Sequence, residues 1–533
     1  MDRRSILVGA GATLIASAAH AATTDIFPIV DTAQGKLRGL VSGGINVFKG
    51  VRYGANTTGA NRFMPPRPVA PWKGVRDALA YGNYAPQMPS DRRRDYADLI
   101  MFDFQPGGMG EDCLVLNLWT PKLDRTAKLP VLFHIHGGGY YGGSGNSPGF
   151  DGEMLARYGQ VVTISVNHRL GAFGYIDLGG LGAPGEFASA GVNGQLDLIA
   201  ALAWVKQNIE GFGGDPNRVL IYGQSGGGSK VSMLQAMPAA KGLFQRAGIM
   251  SGAALRAQER ADAIKPAEAL LKQLNLTKSD FKKLQTVPFE DLLAAQATLE
   301  AGDRARGEAP RSFGPVVDGK HLPRHPFDPD APAVSADIPI VIGTTRDERS
   351  YRLANFDLNE AGLRAFLQPR AGARTDQALA LYKAEDPNAS PYLLQARIDS
   401  DLTFHPQYFS LQERKAAAGK APIWSYLWTD PSPAFGGRYG APHGVDVGMS
   451  LHDIRGGLNG PSAHNLMMAD ALASAWVSFA ATGNPNNSHL PNWPAFDTRQ
   501  RATMVFSAQP HVENDPRKAI REFWGTRSAR AGD

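Results

Sequence analysis

Arg218-Val-Leu-Ile-Tyr-Gly-Gln-Ser-Gly-Gly-Gly-Ser-Lys230 is the stretch that decides the fold. Val219 to Tyr222 is a short apolar run rich in β-branched residues and reads as a buried strand. It stops at Gly223-Gln224-Ser225-Gly226-Gly227, and a helix-like apolar pattern resumes from Val231 to Met237. A strand, a glycine-tight turn carrying one serine, and a helix together make a nucleophile elbow. Such a turn holds the serine in a strained backbone conformation, and side chains on its flanks would strike neighbouring backbone. The helix N-terminus behind the serine offers free N–H groups to developing negative charge. In a chain with 60 glycines the bare G-x-S-x-G pattern says little; its strand–turn–helix setting gives it weight.

A serine hydroxyl is a poor nucleophile near neutral pH. It needs a base, a group that orients the base, and donors for the oxyanion. In this architecture the chain order is serine, acid, histidine, so both partners are sought after residue 225. Ile338 to Ile342 reads as a strand running into Gly343-Thr-Thr-Arg-Asp-Glu348, which puts acids at a strand's carboxyl end, where α/β active sites form. Asp347 and Glu348 both qualify on chemistry. The histidines that follow are His405, His443, His452, His464, His489 and His511. His443 lies in a Gly/Pro loop, Tyr439-Gly-Ala-Pro-His-Gly444, after the strand-like Ile423 to Leu427, and is the favoured base. His464 sits in a helical pattern and reads as structural. Val131 to Ile135, a further strand, ends in His136-Gly137-Gly138-Gly139. Consecutive glycines let backbone N–H groups approach a ligand, and paired with the N–H of Gly226 such a loop makes an oxyanion hole. His136 is expected to orient the loop.

The remaining chain supports a large α/β body. A length of 533 residues with 43% hydrophobic and 20% charged residues suits a globular protein with a sizeable core. Val115 to Trp119, Val161 to Val166 and the region of Ile249 supply further strands. Gly194 to Glu210 carries a helical pattern, and strands alternating with helices imply a largely parallel sheet. Ile29 to Tyr53 suggests a small N-terminal β meander. Ala267 to Leu299 and Ala361 to Ala384 read as helical cap insertions. Net charge is +5, without a basic stripe that would fit nucleic acid. Met1 to Ala21, with Arg3-Arg4, an apolar run and Ala19-His20-Ala21, reads as a signal peptide, and its arginine pair suits the twin-arginine route. Residues 22–533 then form the mature domain, exported to the periplasm or secreted. No other stretch reads as membrane-spanning. Cys113 is the single cysteine, so no intramolecular disulfide is expected.

These residues resemble the type B carboxylesterases, the family of cholinesterases and bacterial para-nitrobenzyl esterases. The resemblance covers nearly the whole mature chain. It rests on Phe48-Lys-Gly-Val-Arg-Tyr53, Arg62-Phe63 and Trp72, Glu111-Asp-Cys-Leu-Val-Leu-Asn117, Asn167-His-Arg-Leu-Gly171, Phe212-Gly-Gly-Asp-Pro216 and Trp476 to Pro485. It implies an α/β-hydrolase fold in a single domain, with a mostly parallel central sheet flanked by helices. It also assigns Glu348 rather than Asp347 as the acid, His443 as the base through His443-Gly-Val-Asp446, and Gly138, Gly139 and Gly226 as oxyanion donors. Three departures stand out. The family's usual G-E-S-A-G reads Gly-Gln-Ser-Gly-Gly here, so Gln224 removes a carboxylate and Gly226 is expected to loosen the turn. Ala85 stands where the family often has a cysteine to pair with that at position 113. Phe102 and Phe104 around Asp103 replace a choline-binding tryptophan.

The implied activity is ester hydrolysis through a Ser225–His443–Glu348 triad and an acyl-enzyme, with no metal or organic cofactor. The same machinery could act on amide, thioester or lactone bonds, and the family also includes non-catalytic adhesion modules. The expected partner is a small ester. Arg92-Arg93-Arg94, in the long loop that borders the gorge in this family, could steer an anionic one.

Overall fold

The computed structural model describes residues 26–88, 99 and 106–525. The leader expected over residues 1–21, the Arg92-Arg93-Arg94 run and Phe102, Asp103 and Phe104 lie outside the described residues. The strands follow in chain order: β1 (Ile29–Asp31), β2 (Lys36–Arg38), β3 (Leu40–Ser42), β4 (Ile45–Arg52), β5 (Val75–Asp77), β6 (Val115–Thr120), β7 (Leu129–Ile135), β8 (Val162–Val166), β9 (Gly214–Gln224), β10 (Arg246–Met250), β11 (Ile340–Thr345), β12 (Ile423–Trp428), β13 (Ala502–Phe506) and β14 (His511–Asn514).

An eleven-stranded sheet runs in the order β14-β13-β12-β11-β10-β9-β7-β8-β6-β4-β3. From β13 to β8 every neighbouring pair is parallel. The edges, β14 on one side and β6, β4 and β3 on the other, pair antiparallel. Parallel strands are covered on both faces and so read as continuous apolar runs; β8, β11 and β12 are buried at every residue. Alternation along each strand then sorts side chains between two cores. Val131, Phe133 and Ile135 of β7 and Val219 and Ile221 of β9 face the core shared with Leu198, Leu202, Val205, Val231 and Leu234. Leu132, Leu220 and Tyr222 face the other, with Leu472, Trp476 and Phe479 of the helix Ala463–Thr482.

The N-terminal segment departs from a self-contained meander. β1 and β2 join β5 in a small three-stranded sheet, while β3 and β4 extend the main sheet. The expected cap helices are also subdivided. Ala267 to Leu299 becomes parts of Arg260–Gln273, Phe281–Leu284 and Phe289–Ala305. Ala361 to Ala384 becomes Glu360–Ala371 and Thr375–Glu385, parted at Gly372 (φ 58°). Each group packs into an apolar cluster of its own, the first around Phe173, Leu270, Leu271, Phe281 and Leu292, the second around Leu363, Leu367, Tyr382 and Trp524. Among the described residues no helix is long and apolar enough to cross a membrane.

Candidate active site

The site forms at the carboxyl ends of the parallel strands, where loops from several strands converge. Ser225 follows β9 and precedes the helix Gly226–Leu234, with φ 57° and ψ −126°. This is a conformation few residues other than glycine adopt, as the elbow requires. The turn is pinned to the neighbouring strands. Ser225 N donates to Met250 O at 2.8 Å, and Ser251 N donates to Gly343 O at 2.8 Å. The glycines around it are there for lack of room: a Cβ on Gly227 would lie 2.0 Å from Ile135 O, and one on Gly252 2.1 Å from Ser225 O.

Glu348 and His443, 95 residues apart, are brought together. His443 Nδ1 is hydrogen-bonded to Glu348 Oε2, and both residues are buried. The second carboxylate oxygen accepts from Thr344 Oγ1 at 2.6 Å and Thr345 N at 2.8 Å. Burial works against the charge on Glu348, but the adjacent His443 and the hydrogen bonds from His443 and Thr344 outweigh it, and the carboxyl is held down at about 2. The acid is therefore ionised throughout the neutral range. The imidazole is fixed by stacking on Tyr351, with centroids 5.5 Å apart, and by Phe404 at 5.2 Å.

Asp347 does different work. Its carboxylate accepts from Arg397 Nε at 2.9 Å and from Ala441 N at 2.9 Å, while its own N–H donates to Ala441 O at 3.1 Å. It ties the end of β11 to the segment just before His443. Burial pushes the Asp347 carboxyl up, and Arg397, Arg346 and the Ala441 N–H more than offset this, so it too stays low. The other histidines after Glu348 are engaged elsewhere or exposed. His405 bonds Asp401 and Thr345 O, His452 bonds Asp470, and His464 bonds Asp430 from its helix. His511 bonds Glu513, and His489 is exposed.

The loop after β7 curls over the elbow. Gly138 and Gly139 have φ of +87° and +61°, and a Cβ on Gly138 would lie 2.4 Å from Gly142 O. A Cβ on Gly137 would lie 3.4 Å from Ser225 Cβ, so the loop sits directly against the serine. A Cβ on Gly226 would come within 2.4 Å of Gly139 N. This corrects the expectation that Gly226 merely loosens the turn: its missing side chain lets the glycine loop close onto the elbow, and an alanine there would collide with backbone. His136 is buried, stacks on His168 at 4.8 Å and contacts Gly137 O through Nδ1 at 2.8 Å. Burial, then the charge of Lys230, hold its pKa well below the ordinary imidazole value, so it is neutral and packs rather than titrates.

Residues 27–524 match the carboxylesterase family. This chain belongs to that family. It is 34% identical to the para-nitrobenzyl esterase of Bacillus subtilis over 507 residues, covering 93% of this chain and 98% of the relative. It is 33% identical to the phenmedipham hydrolase of Pseudarthrobacter oxydans, over 90% of this chain and 94% of that one. Among solved structures, an esterase from anaerobic Clostridium hathewayi that can hydrolyse aliphatic aromatic polyesters superposes with a TM-score of 0.82. That match is at 34% identity over 94% of this chain and 98% of the other. The protein is accordingly a carboxylic ester hydrolase of the α/β-hydrolase fold. Several residues of this carboxylesterase's site were not picked out from sequence. Ser251 had a usable signal, a strand ending in Ser-Gly like the elbow itself. Tyr351 and Phe404 had none, because only tertiary folding brings their rings to His443.

Proposed function

We propose that this esterase works through Ser225, His443 and Glu348, with the N–H groups of Gly138, Gly139 and Gly226 as the oxyanion hole. His443 takes the proton from Ser225 as the hydroxyl attacks the ester carbonyl. Glu348 keeps Nδ1 protonated and stabilises the imidazolium. The alcohol leaves with the proton from His443, and water, activated by the same imidazole, releases the acid. The observation that carries this reading is the buried Glu348–His443 pair, its acid ionised, at the carboxyl ends of the same parallel strands as a strained serine. A fluorophosphonate should label Ser225 alone and stoichiometrically, and Ser225→Ala should lose about 10⁴- to 10⁶-fold in kcat. Near-full ester hydrolysis by that variant would sink the assignment.

The substrate class we propose is a small ester bearing a negative charge. The support is Arg352, beside the ring that stacks on His443. Its guanidinium lies 5.2 Å from the Tyr351 ring centroid and Nε donates to Tyr351 Oη at 2.8 Å. No carboxylate pairs with it among the described residues. Arg352→Gln should lower kcat/KM for a half-ester of a dicarboxylic acid about tenfold, leave the matched neutral ester within twofold, and make the difference between them insensitive to salt. Equal losses on both esters would refute the charge preference.

Export is likewise proposed, on the leader-like residues 1–21. Expression in a bacterial host should yield a periplasmic protein whose N-terminus follows Ala21. Retention of an uncleaved chain in the cytoplasm would refute it.

A further inference from the structure

Lys230 is a charged residue with no place in the reaction outlined above. It stands five residues after Ser225 on the helix Gly226–Leu234 and is completely buried. Among the described residues no carboxylate pairs with it, and its hydrogen bond is to a backbone carbonyl: Nζ donates to His136 O at 3.0 Å. The groups facing it from the packed elements are neutral. His134 and His136 come from the end of β7, His168 from the loop after β8, and Tyr140, whose ring centroid lies 5.9 Å from Nζ, from the glycine loop itself. Arg169, next to His168, is already paired with Asp197. A buried ammonium without a counter-charge is costly, and burial drives its pKa down to about 7. Hydrophobic side chains of similar length would fill the site at lower cost.

His136 O belongs to the peptide unit that leads into Gly137-Gly138-Gly139. Three successive glycines define no loop geometry by themselves, since glycine spans both signs of φ at little steric cost. The loop therefore depends on contacts that hold its ends. One is the packing of the His136 ring, stacked on His168. The far end is held by Gly171 N donating to Tyr140 O at 2.7 Å and by Gln87 bonded to Gly143, and a further contact at the near end reaches across from the helix that carries Ser225 and Gly226.

We propose that Lys230 is a positioning residue that yokes the elbow helix to the oxyanion loop and so fixes the spacing between the Gly226 N–H and those of Gly138 and Gly139. This rests on the oxyanion hole proposed above. Such a residue acts on the transition state rather than on the bound substrate, because the carbonyl oxygen moves fully between the donors only when it becomes tetrahedral.

The test uses the full chain and a neutral chromogenic ester. Fluorophosphonate titration first counts competent serines; wild-type protein that fails to label defeats the triad reading and not this one. Lys230→Met, of similar length and without a donor, should label to the same stoichiometry and melt no lower than wild type. Its kcat should fall 10- to 100-fold with KM within threefold. Lys230→Gln, uncharged and too short to reach His136 O, should show the same split. The assignment is overturned if both variants keep kcat within threefold, if the loss appears in KM instead, or if neither variant folds, in which case Lys230 is only structural.

Discussion

At Gly226 a single missing methyl group sets helix propensity against room for the glycine loop. The residue opens the helix Gly226–Leu234, where alanine is favoured over glycine by about 1 kcal/mol. Yet an added Cβ would press on Gly139 N, O and Cα at 2.4–2.5 Å, all backbone, with nothing flexible to yield. The glycine loop must then shift, and with it the proposed donors for the oxyanion. Gly226→Ala is therefore expected to lower the melting temperature, because the backbone collision outweighs the gain in helix propensity, and to lower kcat by roughly 10- to 100-fold, the scale of losing a well-placed oxyanion donor. Steady-state kinetics beside a thermal melt checks it; a variant as active as wild type would mean that the loop tolerates the displacement. Glu348 gives a second expectation at this scale. Glu348→Gln keeps the shape and the bonds from Thr344 and Thr345 but removes the charge proposed to support the imidazolium. The expected loss in kcat is about 10³- to 10⁴-fold, with KM little changed.

Between elements, the decisive contact is one that no local pattern announces. Asp347 and Glu348 are adjacent acids at the end of β11, and residue chemistry alone leaves them equivalent; the family resemblance, not the residues, chose Glu348. In the structure the choice is made by Arg397, fully buried on the helix Pro391–Thr403, which takes Asp347 and leaves Glu348 to face His443. What was legible were the features that impose backbone demands: the elbow and the glycine loop, whose glycines leave a local signature, and the central strands, whose double burial produces unbroken apolar runs. The breaks in the cap helices were less legible, because the same 3.6-residue period continues on both sides of Gly372. The assignment of β3 and β4 to the main sheet depends on pairing with β6, some 70 residues on, and so left no trace in a local pattern. The Asp347–Arg397 pair can be tested directly. Arg397→Met strands a buried carboxylate that also holds Ala441, and should cost about 3–5 kcal/mol in a denaturant melt. It should also lower kcat, since the segment before His443 loses its anchor. A variant with unchanged stability would show that Asp347 finds its compensation elsewhere.

For the molecule as a whole, the buried groups around the site set how stability varies with pH. Glu348, lowered from 4.5 to about 2, contributes stability that is present above pH 4.5 and lost as pH falls through 2. Asp446 lies three residues beyond His443 and accepts from Tyr426 Oη at 2.7 Å. Burial raises its carboxyl from 3.8 to about 7, with the charge of Glu348 adding to the rise. The folded state thus holds the Asp446 proton more tightly, and stability from this group falls as pH climbs from about 4 to 7. Lys230 acts in the opposite sense. Its pKa drops from 10.5 to about 7, so the unfolded chain binds more protons between those limits and stability rises with pH across them. The two penalties meet near neutral pH, each of the order of a few kcal/mol. Asp446→Asn should therefore stabilise the protein little at pH 4 and most at pH 7 and above. Lys230→Met should stabilise it most at pH 7 and below, with the gain fading by pH 10. Melts of both variants and wild type across pH 4 to 10 would read the crossing. Parallel curves for wild type and Lys230→Met would mean that the ammonium keeps its ordinary pKa despite its burial, through a counter-charge or solvent path that the described residues do not provide.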